Sequence, residues 1–233
     1  MHPSLAKNLL EKVRTDYDAM APDFSNTRER VWPVMTRLAA LAKTGDAVID
    51  IGCGNGRAYQ LFSGRAIAYE GVDVSKGLVD IARARHADAL ARFRVGSMEA
   101  LPYDTASFDA AFSFAVIHHI PSRALRLAAV REAARVTRPG GTVVITAWDL
   151  WHSKHAWRVW MAAVPAVLGL SGFDIGDVLV PWRANGADVG RYCHALTLRE
   201  LMGLARDAGL TIEEEGREDG NIYLVGRRYM GIS

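Results

Sequence analysis

Val48-Ile49-Asp50-Ile51-Gly52-Cys53-Gly54-Asn55-Gly56, followed further on by Gly71-Val72-Asp73-Val74-Ser75, decides how this chain is read. A β-branched run ends in a carboxylate and enters a loop with glycine at every second position. A second apolar run then ends in another carboxylate. Glycine lets a backbone turn sharply at the carboxyl end of a strand and lets a ligand come close. An acidic residue at the end of the next strand suits a pair of ribose hydroxyls. Together the two stretches imply a nucleoside-bearing ligand at the edge of a parallel sheet.

Charge and spacing narrow the ligand. A dinucleotide loop reads G-x-G-x-x-G, but here the third glycine comes one place early, at Gly56, and Arg57 fills the expected position. Asp50 stands at the mouth of the loop, where it repels a pyrophosphate and suits a cation such as the ammonium of a methionine moiety. S-adenosyl-L-methionine has that ammonium, a sulfonium, a ribose diol and no phosphate. A dinucleotide and a ligand-free glycine turn are the competing readings.

The 233 residues fit one α/β domain with an insertion. Half are hydrophobic, 23% are charged and the net charge is +2, so no extreme field announces a nucleic acid. The cations are 23 Arg and 5 Lys. Cys53 and Cys193 show no paired zinc spacing. Nothing at the amino terminus reads as a signal peptide, and Ala156 to Phe173, interrupted by Arg158 and Pro165, falls short of a membrane span. A cytoplasmic protein with neither a membrane nor a DNA partner is expected.

Apolar periodicity predicts a helical cap over 1–45, with helices at 4–17 and 29–43 separated at Pro22, which breaks any helix. A cofactor-binding core over 46–148 alternates strands (46–51, 67–73, 91–96, 108–114, 142–148) with helices (57–63, 76–87, 122–137). A substrate-side insertion over 149–195 holds a Trp-rich helix (Trp151, Trp157, Trp160) and a polar loop from Arg183 to Gly190. The closing segment, 196–233, has a helix at 197–208 and strands 210–216 and 221–227 joined through Asp219-Gly220. The fold expected is a doubly wound, mostly parallel seven-stranded α/β sheet ending in an antiparallel hairpin, with an inserted helical and loop segment.

Ligands in such sheets sit at the carboxyl ends of the strands, where strand order reverses. Asp50, Gly52, Cys53, Gly54, Asp73, Val74, Ser97, Met98, Phe114 and Ala115 fall there and are the expected donor-binding residues, with Tyr17 closing over them. Ser97 and Met98 suit an adenine edge and face, and core filling competes for Met98. Of the adjacent His118 and His119, at most one faces a substrate, and a polar cap beneath the cofactor is the alternative. A metal site recruiting His152 and His155 lacks an acidic partner, and no metal is expected. Arg28 is either a surface ion pair or a carboxylate clamp. Trp182, Arg191, Tyr192 and His194, flanking the polar loop, are suited to stack on and hydrogen-bond an unstacked base, or else to pack.

Asp50-Ile51-Gly52-Cys53-Gly54-Asn55-Gly56, Gly71-Val72-Asp73, Ser97-Met98-Glu99-Ala100-Leu101-Pro102, Phe108-Asp109 and Arg138-Pro139-Gly140-Gly141 resemble class I S-adenosylmethionine-dependent methyltransferases of the methyltransferase-11 type. Outside that core, Tyr17, Ala21-Pro22, Phe24-Ser25, Thr27-Arg28, Trp32-Pro33, Val116-Ile117-His118-His119, Val180-Pro181-Trp182, Arg191-Tyr192-Cys193-His194 and Asp219-Gly220-Asn221 are similar in order to the tRNA wobble-uridine carboxymethyl methyltransferases. Departures fall on the substrate side: Cys193 replaces a second Tyr, Ile222-Tyr223 follows the late Asn, and 152–176 is unusually apolar.

The resemblance implies methyl-ester formation on a carboxymethyl uridine of tRNA. Arg28 and His119 would orient the carboxylate, Trp182, Arg191, Tyr192, His194 and Asn221 would receive the uridine, and Arg123, Arg126, Arg131, Arg183 and Arg191 would meet phosphates. It also implies a small zinc-binding activator subunit, docked on the apolar insertion or the third-strand edge. A small-molecule or quinone methyltransferase and a non-catalytic donor-binding module are the other classes open to this sequence.

Overall fold

The computed structural model describes residues 1–27, 29–87, 90–184 and 187–229, and only the backbone of 183–184 and 187–189. Arg28 lies outside the described residues. A seven-stranded sheet runs in the order β3 (Arg92–Val95), β2 (Ala68–Asp73), β1 (Ala47–Ile51), β4 (Phe108–Phe114), β5 (Thr137–Trp148), β9 (Asn221–Arg228), β8 (Leu210–Glu218). Strands β1 to β5 pair in parallel, and β9 is antiparallel to both of its neighbours. Strand order reverses between β1 and β4, which opens a crevice at their carboxyl ends.

Alternate residues of each strand feed opposite faces of the sheet. Ile49, Ile51, Ala111, Val143 and Ile145 pack under α5 (Arg123–Val136) and α7 (Leu198–Asp207). Val48, Ala110, Phe112 and Val144 pack under α3 (Pro33–Ala39) and α4 (Lys76–Arg85). Both faces are buried, as the near-continuous apolar strands require. The long amino-terminal helix α1 (Pro3–Ala19) lies over the crevice. Its carboxyl end is fixed to α4 through Asp18, whose carboxylate accepts from the Ser75 hydroxyl at 2.7 Å and the Gly77 N–H at 3.0 Å.

Five expectations need correction. Pro22 does not break the chain into a loop; it lies in the first turn of α2 (Ala21–Thr27), where its missing N–H has no helical acceptor to lose. The second predicted helix shrinks to α3, because Pro33 holds Trp32 extended at ψ 152°. Residues Arg57–Leu61 form a tight 3-10 turn, and β5 begins at Thr137 instead of 142, carrying Arg138-Pro139-Gly140-Gly141 into the strand across an irregularity beside Phe108.

The fifth concerns the insertion. Its predicted polar loop is an antiparallel ribbon, β6 (Asp177–Ala184) and β7 (Ala187–His194), separate from the main sheet. Pro181 is tolerated there because a two-stranded ribbon is all edge. The helix α6 (Ala156–Val167) packs on β6 through Val159 and Ala163, over a small core of Leu150, Val178, Val180 and Cys193.

Candidate active site

The crevice holds a cavity that opens to solvent, at the strand ends where ligands of such sheets bind. Ile51 and Gly52 line it from the end of β1, Val72, Asp73 and Val74 from β2, and Gly96, Ser97, Met98 and Glu99 from the turn after β3. Val116, His119 and Ile120 come from the turn after β4, and Leu10 and Val13 from α1. Gly52 has φ +78°, and a Cβ there would come within 2.2 Å of Val116, so the turn closes only on glycine.

Asp73 is the cavity's central polar group. One carboxylate oxygen accepts from Gly54 N–H and the other from Ser75 N–H, both at 2.8 Å. Burial raises its pKa, against the lowering effect of these backbone bonds. Each oxygen keeps lone-pair capacity for a hydroxyl. Among the described residues no cation lines this cavity, whereas two carboxylates, Asp73 and Glu99, do. That charge balance rejects a pyrophosphate and fits a cationic nucleoside such as S-adenosylmethionine, whose diol Asp73 would hold and whose adenine Ser97, Met98 and Glu99 would border.

Several predicted donor-binding residues lie elsewhere. Asp50 is 1% exposed and accepts from the Tyr69 hydroxyl at 2.6 Å; burial pushes its pKa up to about 7. It lies behind the loop rather than on the cavity wall, because alternation on β1 aims Ile51 and Ile49 to the other face. Cys53 and Phe114 are buried in the core under α3 and α4. Ala115 adopts φ +59° and gives its N–H to Thr146, and Gly54 reaches the site only through its N–H to Asp73. Val116, Leu10, Val13 and Glu99 take lining places that the sequence reading did not assign. Leu10 and Val13 had shown only a core-facing helical spacing.

A second constellation adjoins the cavity and shares His119 with it. The His119 Nδ1 lies 3.0 Å from the Tyr192 carbonyl, which can only accept, so Nδ1 carries the proton. Nε2 is then an acceptor, and the Tyr17 hydroxyl donates to it at 2.9 Å. Arg191 in turn donates to the Tyr17 oxygen at 3.4 Å. Burial, reinforced by the Arg191 charge, holds the His119 pKa down at about 3, so the ring is neutral. With both nitrogens engaged, His119 orients Tyr17 and Arg191; the expected direct contact with a substrate carboxylate has no free nitrogen to make it. His118 is buried beneath, tilted against Trp148 with ring centroids 4.6 Å apart.

Arg191 is 4% exposed, with its guanidinium 4.5 Å from the Trp148 ring and 4.8 Å from the Trp182 ring. Its Nε has no partner, and among the described residues no carboxylate forms an ion pair with it. Tyr17, Trp182 and Phe24 pack on one another at 5.6–5.9 Å between centroids, Phe24 edge to face with the other two.

Tyr192 and His194, by contrast, point to the opposite face of β7. The Tyr192 hydroxyl donates to Asp177 at 2.6 Å and His194 Nδ1 lies 2.7 Å from the same oxygen, both side chains being buried. Asn221 is buried at the last turn, bonded to the Asp219 carbonyl at 3.0 Å and paired across the sheet with Trp148. Of the phosphate candidates, Arg126 is buried and donates to the Ile120 carbonyl, its Nε, like that of Arg191, being unpartnered. Arg123 pairs with Asp207, and the Arg183 side chain lies outside the description. His118, His119 and Cys193 offer ligand atoms within 4.8 Å of one another, a juxtaposition the sequence did not suggest.

A doubly wound sheet with a carboxylate-lined, phosphate-hostile crevice at its reversal point defines a class I nucleoside-donor fold. Residues 49–145 match the family model described as a methyltransferase domain. A protein of Encephalitozoon cuniculi named as a methyltransferase is 31% identical over 214 residues, which cover 91% of this chain and 93% of that one. The chain belongs to this family, the S-adenosylmethionine-dependent methyltransferases. The tRNA (carboxymethyluridine(34)-5-O)-methyltransferase of Arabidopsis thaliana is 36% identical over 146 residues, covering 63% of this chain and 34% of its own length. This chain thus spans about a third of that relative. Among solved structures, a chain from the complex between the Trm112 methyltransferase activator of Haloferax volcanii and a methyltransferase shares the fold, with TM-score 0.68, 22% identity and coverage of 95% of this chain and 99% of that one.

Proposed function

We propose that this methyltransferase esterifies a carboxylate, that of a carboxymethyl-modified wobble uridine in tRNA. One observation carries the reading: Arg191 is a buried guanidinium with an unpartnered Nε, held between Trp148 and Trp182 and bonded to Tyr17, next to the donor cavity. A buried cation without a counter-ion is unfavourable until an anion arrives, and a guanidinium fork matches a carboxylate. The flanking indole and phenyl rings suit the planar base that bears it. The names of relatives such as the Arabidopsis enzyme support the same acceptor.

The donor supplies an electrophilic methyl group on a sulfonium. A carboxylate is already ionised at neutral pH, so the protein need not remove a proton. Arg191 would hold the carboxylate by its fork and Tyr17 would fix the fork through its hydroxyl. Neutral His119 would keep that hydroxyl pointed, and Leu10, Val13 and Val116 would keep water from the line of attack. Arg28, expected as a second clamp, lies outside the described residues.

An activator of the kind solved with the Haloferax chain would find a docking edge at β3, where Leu90 is 90% and Val95 47% exposed. The decisive assay incubates the protein, alone and with such an activator, with S-adenosylmethionine and tRNA bearing carboxymethyluridine. Mass spectrometry of the digested nucleosides should show the methyl ester. Turnover of a small lipophilic molecule with tRNA untouched would overturn the reading.

A further inference from the structure

We propose that helix α6 docks the protein, lying flat, on a lipid bilayer surface carrying anionic headgroups. The helix is apolar on two sides. Val159 and Ala163 are buried against the β6–β7 ribbon, which accounts for one face. The other carries Trp157, Trp160, Met161, Val164 and Leu168, spaced i, i+3, i+4, i+7 and i+11. All five are 54–66% exposed. A helix that is apolar all round is normally buried on all sides, and a contiguous apolar stripe of this size marks an interaction surface.

Charge selects the occupant. Between Asp149 and Asp174 the chain has no acidic residue, while Lys154 and Arg158 sit at the start of the helix. The Arg158 guanidinium lies 4.5 Å over the Trp157 ring, a cation beside an interfacial aromatic as headgroup-level anchors require. The stripe is a single convex helix, which suits a deformable surface better than a preformed protein groove. No helix among the described residues is long and apolar enough to cross a membrane, and the 12 residues of α6 span about 18 Å at about 1.5 Å each, so the geometry is that of an in-plane helix. The proposal departs from the expectation of no membrane partner, and it stands independently of the acceptor proposed above.

The test is co-sedimentation of the full chain with vesicles of phosphatidylcholine alone and of phosphatidylcholine mixed with phosphatidylglycerol. Tryptophan emission should be quenched when the acyl chains are brominated. Binding to the mixed vesicles should exceed binding to the neutral ones. It should fall at least about tenfold in the triple variant Trp157→Ser, Met161→Ser, Leu168→Ser, whose circular dichroism and donor affinity remain those of the parent. Lys154→Glu with Arg158→Glu should erase the preference for anionic lipid. Absence of sedimentation, or equal sedimentation of the triple variant, overturns the proposal. So does a monomer–dimer equilibrium that the triple variant abolishes without vesicle binding in the parent, which would assign the stripe to a second copy.

Discussion

Replacing Arg191 by Met separates a functional cation from a structural one. In the free protein the arginine carries opposing contributions. A desolvated charge without a counter-ion costs several kcal/mol, and an orphaned Nε adds about 1–3 kcal/mol. Against this stand a long hydrogen bond to Tyr17, worth about 1 kcal/mol, and two ring contacts at 4.5 and 4.8 Å, worth about 1–2 kcal/mol each. The two sides roughly cancel. Arg191→Met, which keeps an unbranched apolar stem, should therefore leave urea-unfolding stability within about 1 kcal/mol of the parent, or slightly higher. Turnover should behave differently. Losing a buried charge-assisted pair with a carboxylate costs about 3–5 kcal/mol, or about 10²–10⁴-fold in kcat/KM.

Donor affinity by calorimetry should not change, since Arg191 does not line the donor cavity. Arg191→Lys should recover only part of the activity, because an ammonium keeps the charge but not the fork. A Met variant less stable by more than about 3 kcal/mol, yet with parental kcat/KM, would show the arginine to be a pillar of the aromatic cluster and remove the support for a carboxylate acceptor.

Asp73→Ala should lower donor affinity in calorimetry by at least about tenfold, and an unchanged dissociation constant would detach the cavity from the donor. Gly52→Ala should destabilise by about 2–4 kcal/mol, combining strain at φ +78° with the Val116 collision; adding Val116→Ala should restore the steric part alone, which a double-mutant cycle reads. Two contributions to the pH dependence of unfolding oppose each other. His119, held near 3 when folded against about 6.5 when unfolded, makes the unfolded chain bind more protons, so stability rises with pH across that window. Asp50, raised to about 7 from 3.8, makes the folded chain bind more, so its contribution is full below 3.8 and is lost as pH climbs to 7. Asp50→Asn should therefore steepen the rise of stability with pH between about 4.5 and 6.5 by about 1.4 kcal/mol per unit, and parallel curves for parent and variant would contradict the buried, protonated Asp50.

The donor half of the site was legible because it is local. Gly52, Asp73 and the N–H groups that orient Asp73 all lie between Val48 and Ser75, in one strand–loop–strand unit whose chemistry follows from residue order. Asp50 shows the limit of that reading. A carboxylate next to a glycine loop looks like part of the loop, but strand alternation turns it away from the cavity and towards Tyr69. Recognising β1 was not enough; the parity of each residue on it had to be fixed as well. The same holds for Phe114 and Val116, where the lining residue falls two places beyond the predicted one because Ala115 at φ +59° re-aims the chain.

The proposed acceptor half was harder because it exists only after folding. Tyr17 and His119 are 102 residues apart, and Tyr17 and Arg191 are 174 apart. Trp148 and Trp182 join them from two different sheets. Arg191-Tyr192-Cys193-His194 reads as four consecutive polar or aromatic candidates if it leaves a loop. On a strand it divides: Arg191 and Cys193 face the His119 side, while Tyr192 and His194 share Asp177 on the other. The division also explains how an unpaired guanidinium can be held in place. Tyr192 and His194 anchor the ribbon from behind, through one buried carboxylate, so Arg191 on the opposite face needs no anion of its own to stay in position. A ligand anion can then meet a cation already oriented by Tyr17, Trp148 and Trp182, with little left to order on binding.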